Sequence, residues 1–203
     1  MANIGKFITL EGMDGAGKST HIPIIINTLE AKGIEVVSTR EPGGTSLGER
    51  LREILLYEPM HAETETLLMF AGRREHIAAV IAPALARGAY VLSDRFTDAT
   101  YAYQCGAKGV SANKVQLLEQ WVQEDLQPDV TLLFDVPVEI SMQRLASART
   151  PDKFERETAD FFTRIRESYL LRAQQNSARF RIINANQVLD VVKQEVEVII
   201  STL

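Results

Sequence analysis

Gly12-Met13-Asp14-Gly15-Ala16-Gly17-Lys18-Ser19 fills the pattern G-x-x-x-x-G-K-[ST] and directly follows the apolar run Phe7-Ile8-Thr9-Leu10. That order commits the chain to strand, tight turn, then helix, the opening unit of an α/β layer architecture. Glycines let the backbone fold back so that successive N–H groups face phosphate oxygens. Lys18 is placed to reach the outer phosphates and Ser19 to offer a hydroxyl to Mg²⁺. The helix starting near Lys18 and Thr20 turns its positive end on the same anion. The segment from Gly12 to Thr20 therefore predicts binding of a nucleoside triphosphate.

Apolar, β-branched runs recur at Phe7 to Leu10, Val36 to Ser38, Tyr90 to Ser93, Val130 to Phe134 and Phe180 to Ile183. Helix-like segments between them, at 18–31, 47–56, 63–86, 112–125, 138–147, 156–175 and 188–200, predict a parallel sheet covered by helices on both faces. The expected fold is α/β, a P-loop NTPase three-layer α/β/α sandwich with a five-stranded parallel sheet. At 203 residues and 45% apolar composition the chain suits a single domain over 1–203. Cys105 is the only cysteine, which excludes an internal disulfide and suits a reducing cytoplasm. With no apolar stretch long enough to span a bilayer, a membrane location is not expected. A net charge of −5 argues against a general nucleic-acid surface. Anionic substrates must then be held by a few focused cations.

Ligands of such folds bind beyond the carboxyl ends of the strands. Standing there are Glu11 with the P-loop, Arg40-Glu41-Pro42, Asp94-Arg95, Asp135 and Asn184. Arg40 and Arg95 can each grip a phosphate with two N–H donors, the alternative for either being a solvated or structurally paired arginine. Asp94 has the strand-then-Asp form of a magnesium-holding acid. Asp135 has the same form; Arg95 beside Asp94 favours Asp94.

Thr39-Arg40-Glu41-Pro42-Gly43-Gly44, Asp94-Arg95-Phe96 and Tyr101-Ala102-Tyr103-Gln104, taken with the P-loop, resemble the bacterial thymidylate kinases over nearly the whole chain. The resemblance implies phosphorylation of dTMP to dTDP by ATP with Mg²⁺, for dTTP synthesis, in a cytoplasmic homodimer. It casts Asp14 as an acid near the acceptor phosphate and magnesium, Arg95 as the bridge between acceptor and donor phosphates, and Arg52 as reaching the acceptor site. It places an aromatic ring over thymine and an arginine on its carbonyl oxygen, from the helix carrying Leu67-Leu68-Met69-Phe70-Ala71-Gly72-Arg73-Arg74. Phe70 with Arg74 keeps the family's four-residue spacing. Aligning the following Glu75-His76 instead selects Arg73, with Met69 in the ring's place. Arg73 for the base and Phe70 for stacking is the favoured register. Thr100 and Gln104 are similar to residues that hydrogen-bond the base, and Tyr103 to the ring that disfavours a ribose 2′-hydroxyl. Selecting thymine over uracil rests on one methyl group, worth only about 1 to 3 kcal/mol.

The charged stretch 149–157 resembles the family's mobile lid, expected over about 148–157. No arginine lies in the P-loop, so Arg149, Lys153 or Arg156 is expected to supply cationic help to the transferring group. Asp152-Lys153-Phe154-Glu155 stands where many relatives have Asp-Arg-aromatic-Glu, and Asn184 where relatives often have Asp. Another P-loop nucleoside monophosphate or deoxynucleoside kinase is the alternative reading. A guanine-specific switch is disfavoured, since Asn113-Lys114-Val115-Gln116 lacks the required aspartate.

Overall fold

A computed structural model describes residues 5–146, 153–154 and 157–203. Strands β1 (Phe7–Glu11), β2 (Val36–Arg40), β3 (Tyr90–Asp94), β4 (Val130–Asp135) and β5 (Phe180–Asn184) form one parallel sheet in the order β2-β3-β1-β4-β5. Each strand extends past its apolar run, so Glu11, Arg40, Asp94, Asp135 and Asn184 close the strands themselves. Ladder pairing thereby fixes their backbones: Asp94 stands in register with Leu10 on one side and Arg40 on the other.

The helices are α1 (Lys18–Glu30), α2 (Ser46–Tyr57), α3 (Ala62–His76), α4 (Ala82–Ala86), α5 (Thr97–Thr100), α6 (Ala112–Gln123), α7 (Val138–Ala146), α8 (Ala159–Gln175) and α9 (Leu189–Ser201). The helix expected over 63–86 is interrupted by a π-helical segment, Ile77–Ile81, just before Pro83. Proline has no N–H to donate and its ring crowds the carbonyl four residues back, so a wider turn there relieves the conflict. A second π-helical segment, Tyr101–Ala107, continues α5 where no helix was expected. Its aromatic and glycine content carries no helical apolar stripe. Helix α8 begins at Ala159, where Thr158 caps the N–H of Phe161.

Alternation along β1 builds the core. Ile8 and Leu10 pack with Ile25 and Leu29 of α1 and Val192 and Val196 of α9. Phe7 enters a separate cluster with Val91, Ile77, Ile81 and Val115. The edge strands depart from the expectation of burial on both faces. In β2, Ser38 and Arg40 are exposed, and in β5 so are Arg181, Ile182 and Asn184, because an outermost strand has a neighbour on one side only.

Candidate active site

Gly12, Gly15 and Gly17 all have positive φ, at 132°, 77° and 94°. A Cβ on Gly12 would come 2.5 Å from the Phe134 carbonyl oxygen, and one on Gly15 would come 2.6 Å from that of Ser141, so β4 and α7 clamp the loop. Gly17, the N-cap of α1, brings no side chain to the helix's first N–H groups, which keeps that end open to an anion. Lys18 folds back over the loop, donating to the carbonyls of Gly12 and Met13 at 3.1 Å each. Burial, aided by Arg95, lowers its pKa.

Arg95 is the junction of the site. Its φ of 72° lies in the left-handed region, a strain that persists only where neighbours enforce it. They do: Ser93 Oγ donates to its carbonyl at 2.7 Å, and the next N–H, of Phe96, donates to Glu11 Oε1 at 2.7 Å. The guanidinium donates to Asp14 Oδ1 (2.8 Å), Tyr103 OH (2.9 Å) and Tyr169 OH (2.9 Å), and Tyr169 in turn donates to Glu11 Oε2 (2.9 Å). Burial opposes ionisation of Asp14, but Arg95 and Lys18 outweigh it and hold its pKa well below the carboxylate range. Burial works against the charge on Arg95 too, yet Asp14 and the two tyrosines raise its pKa further. Glu11 moves the other way: burial, with Asp98, pushes it up to about 8.

Beside this junction opens a cavity. Ten of the expected substrate residues line it: Asp14, Glu41, Pro42, Arg52, Met69, Arg73, Arg95, Thr100, Tyr103 and Gln104. Arg73, 2% exposed, donates from Nε to Glu41 Oε2 at 2.8 Å and from Nη2 to Thr100 Oγ1 at 3.0 Å. Its Nη1 is buried without a hydrogen-bond partner. Arg52 donates to the Pro42 carbonyl at 2.9 Å, and Gln104 to Glu65 at 2.9 Å.

Four of the expected site residues stand in positions other than those expected of them. Arg40 does not line the cavity: it sits half-exposed on the edge strand and pairs with Glu49 at 2.8 Å, the structural alternative for this residue. Arg74 reaches the Val122 carbonyl on α6, because one residue along α3 turns the side chain by about 100°. Phe70 is 1% exposed and lies beneath Arg73, 4.6 Å from ring centre to guanidinium carbon, while Met69 faces the cavity. Lys153 sits away from the P-loop, its Nζ at 2.8 Å from buried Glu65 and 3.0 Å from the Glu58 carbonyl. Arg149, Arg156 and most of the expected lid lie outside the described residues.

Leu56, Phe96, Ala99 and Phe154 also line the cavity without having been singled out as substrate contacts. Phe96 was visible only as the aromatic after Asp94-Arg95. Phe154 meets the Tyr103 ring edge-on at 5.8 Å, with the Lys108 and Lys153 ammonium groups 4.4 Å and 5.1 Å from its centre.

For a metal, the two strand-end aspartates are separated by their partners. Both oxygens of Asp135 are taken by Arg166, at 2.7 Å and 2.8 Å. Asp94 Oδ1 is buried with no partner, and Asp94 shares a groove with Ser19. Among the described residues no three His, Cys, Asp or Glu side chains cluster as a cation cage. One carboxylate and one hydroxyl suit Mg²⁺, which keeps waters and takes its remaining ligands from phosphate.

The family model described as thymidylate kinase matches residues 10–196. The chain belongs to the thymidylate kinase family. It is 70% identical over 192 residues to the thymidylate kinase of Methylobacillus flagellatus, covering 95% of each chain. To that of Cupriavidus pinatubonensis it is 62% identical over 201 residues, covering 98% of this chain and 99% of the other. A crystal structure of thymidylate kinase from Ehrlichia chaffeensis, 32% identical, superposes with a TM-score of 0.78 over 97% of this chain and 98% of that one. This family member is thus a kinase with the P-loop NTPase fold, and ATP is its phosphoryl donor. Among the described residues, no helix is long and apolar enough to cross a membrane.

Proposed function

We propose that this kinase holds ATP on the P-loop and dTMP in the adjoining cavity, and moves the γ-phosphoryl group onto the dTMP phosphate to give dTDP and ADP. The supporting observation is that one cavity is lined both by Asp14 and Arg95 and by Arg73, whose buried Nη1 has no partner. A guanidinium can only donate, so that vacant donor matches the 4-carbonyl of thymine and opposes the 4-amino group of cytosine. At the other wall, Arg95 carries a charge fixed by three partners and suits the oxygens shared between attacking and departing phosphates. Asp14 orients Arg95, and Tyr103, bonded to both, sets its ring against the sugar. Lys18 neutralises the outer phosphates.

Mg²⁺, when bound, would neutralise phosphate oxygens of the donor, and Ser19 and Asp94 are the residues here that would hold it. Asp94→Asn is expected to raise the Mg²⁺ concentration needed for half-maximal rate about tenfold, with Asp135→Asn leaving it within twofold; the reverse pattern would move the metal to β4. The 203 residues act as one catalytic unit in this reading. Exposed Leu67, Leu117 and Trp121 on the neighbouring helices α3 and α6 support pairing of two copies, which sedimentation at single-chain mass would refute. A cytoplasmic location is supported by the lone cysteine and by the need for ATP; recovery of the native enzyme outside that compartment would overturn it.

The test of the activity is an ATP-coupled assay across dTMP, dUMP, dCMP and dAMP. dTMP is expected to lead, with dUMP about 10 to 100 times poorer because a single methyl distinguishes it. Preference for dCMP or dAMP would favour the alternative of another P-loop monophosphate kinase.

A further inference from the structure

We propose that His76 is a positioning residue for base recognition: through Glu41 it fixes the one donor of Arg73 that is left for the pyrimidine. The inference rests on the reading that Arg73 faces the 4-carbonyl of the acceptor base. Arginine is long and flexible, so its aim depends on what holds its other nitrogens. Glu41 Oε2 holds Nε at 2.8 Å. The other oxygen, Oε1, is bound at 2.9 Å by His76 Nδ1. A carboxylate only accepts, so Nδ1 carries the proton and the ring orientation is set. On its far side Nε2 meets Thr39 Oγ1 at 2.7 Å, which ties the ring to β2. His76 is fully buried and Glu41 is 6% exposed, so a lost contact between them leaves a polar atom that is costly to satisfy.

The chain of contacts runs from Thr39 on the sheet, through His76 and Glu41, to Arg73 and finally to Thr100 on α5. Arg73 and His76 lie three residues apart on α3, on one face of that helix, which lets a single carboxylate join them. Gly44 belongs to the same arrangement. A Cβ there would come 2.6 Å from both His76 Nε2 and Thr39 Oγ1, and its φ of 79° is already in glycine's region. The backbone therefore closes over the Thr39–His76 contact, leaving no room for a side chain to part it. With both carboxylate oxygens fixed, Glu41 is held from two sides, and Nη1 is left as the one guanidinium nitrogen of Arg73 without a partner. The ligand class selected by this donor is a 4-oxo pyrimidine nucleotide.

The test compares His76→Leu, His76→Asn and Thr39→Val, measuring KM and kcat for dTMP, dUMP and dCMP, KM for ATP, and thermal melting. Asparagine places an amide nitrogen where Nδ1 stands and keeps the bond to Glu41; leucine keeps apolar bulk without a donor. His76→Leu is expected to raise the KM of dTMP and of dUMP about tenfold by the same factor, with dCMP moved less, and kcat and the ATP KM within twofold. His76→Asn is expected to stay within about threefold of the parent. Thr39→Val, which removes only the outer hydroxyl, is expected to give a smaller loss of the same kind, and it carries the test if His76→Leu does not fold. Unmoved dTMP KM values, an asparagine variant as weak as the leucine one, or an equal rise in the ATP KM would each overturn the proposal. Arg73→Leu, run in parallel, separates the two layers. If it too leaves dTMP binding unmoved, the reading of the site fails. If it weakens dTMP while the His76 and Thr39 variants do not, only the positioning role fails.

Discussion

Replacing Arg95 with alanine is expected to lower kcat about a thousandfold while changing either KM by less than tenfold. The reaction moves charge between two anions, and Arg95 is the partly buried cation that pairs with Asp14 in the wall of the cavity. Its geometry is prepaid by the fold. A strained φ of 72°, enforced by Ser93 and by Glu11 through Phe96, sets the side chain's origin, and Asp14, Tyr103 and Tyr169 fix its end. A group fixed before the substrates arrive loses no reorganisation energy in the transition state, which is why its effect falls on kcat. Arg95→Lys retains the charge but not the fork, so a loss of about a hundredfold is expected. Steady-state kinetics with melting curves as a check on folding would decide it, and a kcat for Arg95→Ala within tenfold of the parent would sink the assignment.

Arg73→Leu is expected to act on binding and on stability together. The acceptor KM should rise at least a hundredfold, with the ATP KM unchanged, because the buried Nη1 that has no partner disappears. Glu41 would remain 6% exposed with its main cationic partner gone, and breaking a buried pair from one side typically costs about 3 to 5 kcal/mol. Adding Glu41→Gln removes the stranded charge, so the double variant should recover much of the melting temperature and none of the dTMP affinity. Arg74→Leu, by contrast, should leave the dTMP KM within twofold, since Arg74 serves the Val122 carbonyl. If Arg74→Leu weakens dTMP and Arg73→Leu does not, the register on α3 is wrong.

How far each part of the site was legible follows from how local its cause is. The P-loop was legible because its geometry lies within eight consecutive residues, and the strands because burial writes itself into short apolar runs. Arg40 and Arg95 look alike in sequence, each beside an acid at the end of a strand. They diverge because β3 is the direct neighbour of β1 and its P-loop, whereas β2 lies at the edge of the sheet with Glu49 at hand. Asp94 and Asp135 are likewise twins until Arg166, from α8, occupies both oxygens of Asp135. The choice between Arg73 and Arg74, and between Met69 and Phe70, is a rotation of one residue on α3. Only the helix's packing against Thr100, Phe96 and Glu41 decides it. At Lys153 the lid motif predicts a cation for the transferring group. Its ammonium is instead drawn to Glu65, a buried carboxylate that nothing in the local sequence announces.

By itself, then, the amino-acid sequence determined the parallel α/β order, the phosphate-binding turn from Gly12 to Ser19, and the kind of residues that would meet two nucleotides. Each of these depends on neighbours within one turn or one strand. Which aspartate keeps an unpartnered buried oxygen, which arginine lines the cavity, and what holds that arginine in place were decided only by the tertiary structure. Those choices depend on partners brought together from different helices and strands, where packing and burial, more than residue type, set the outcome.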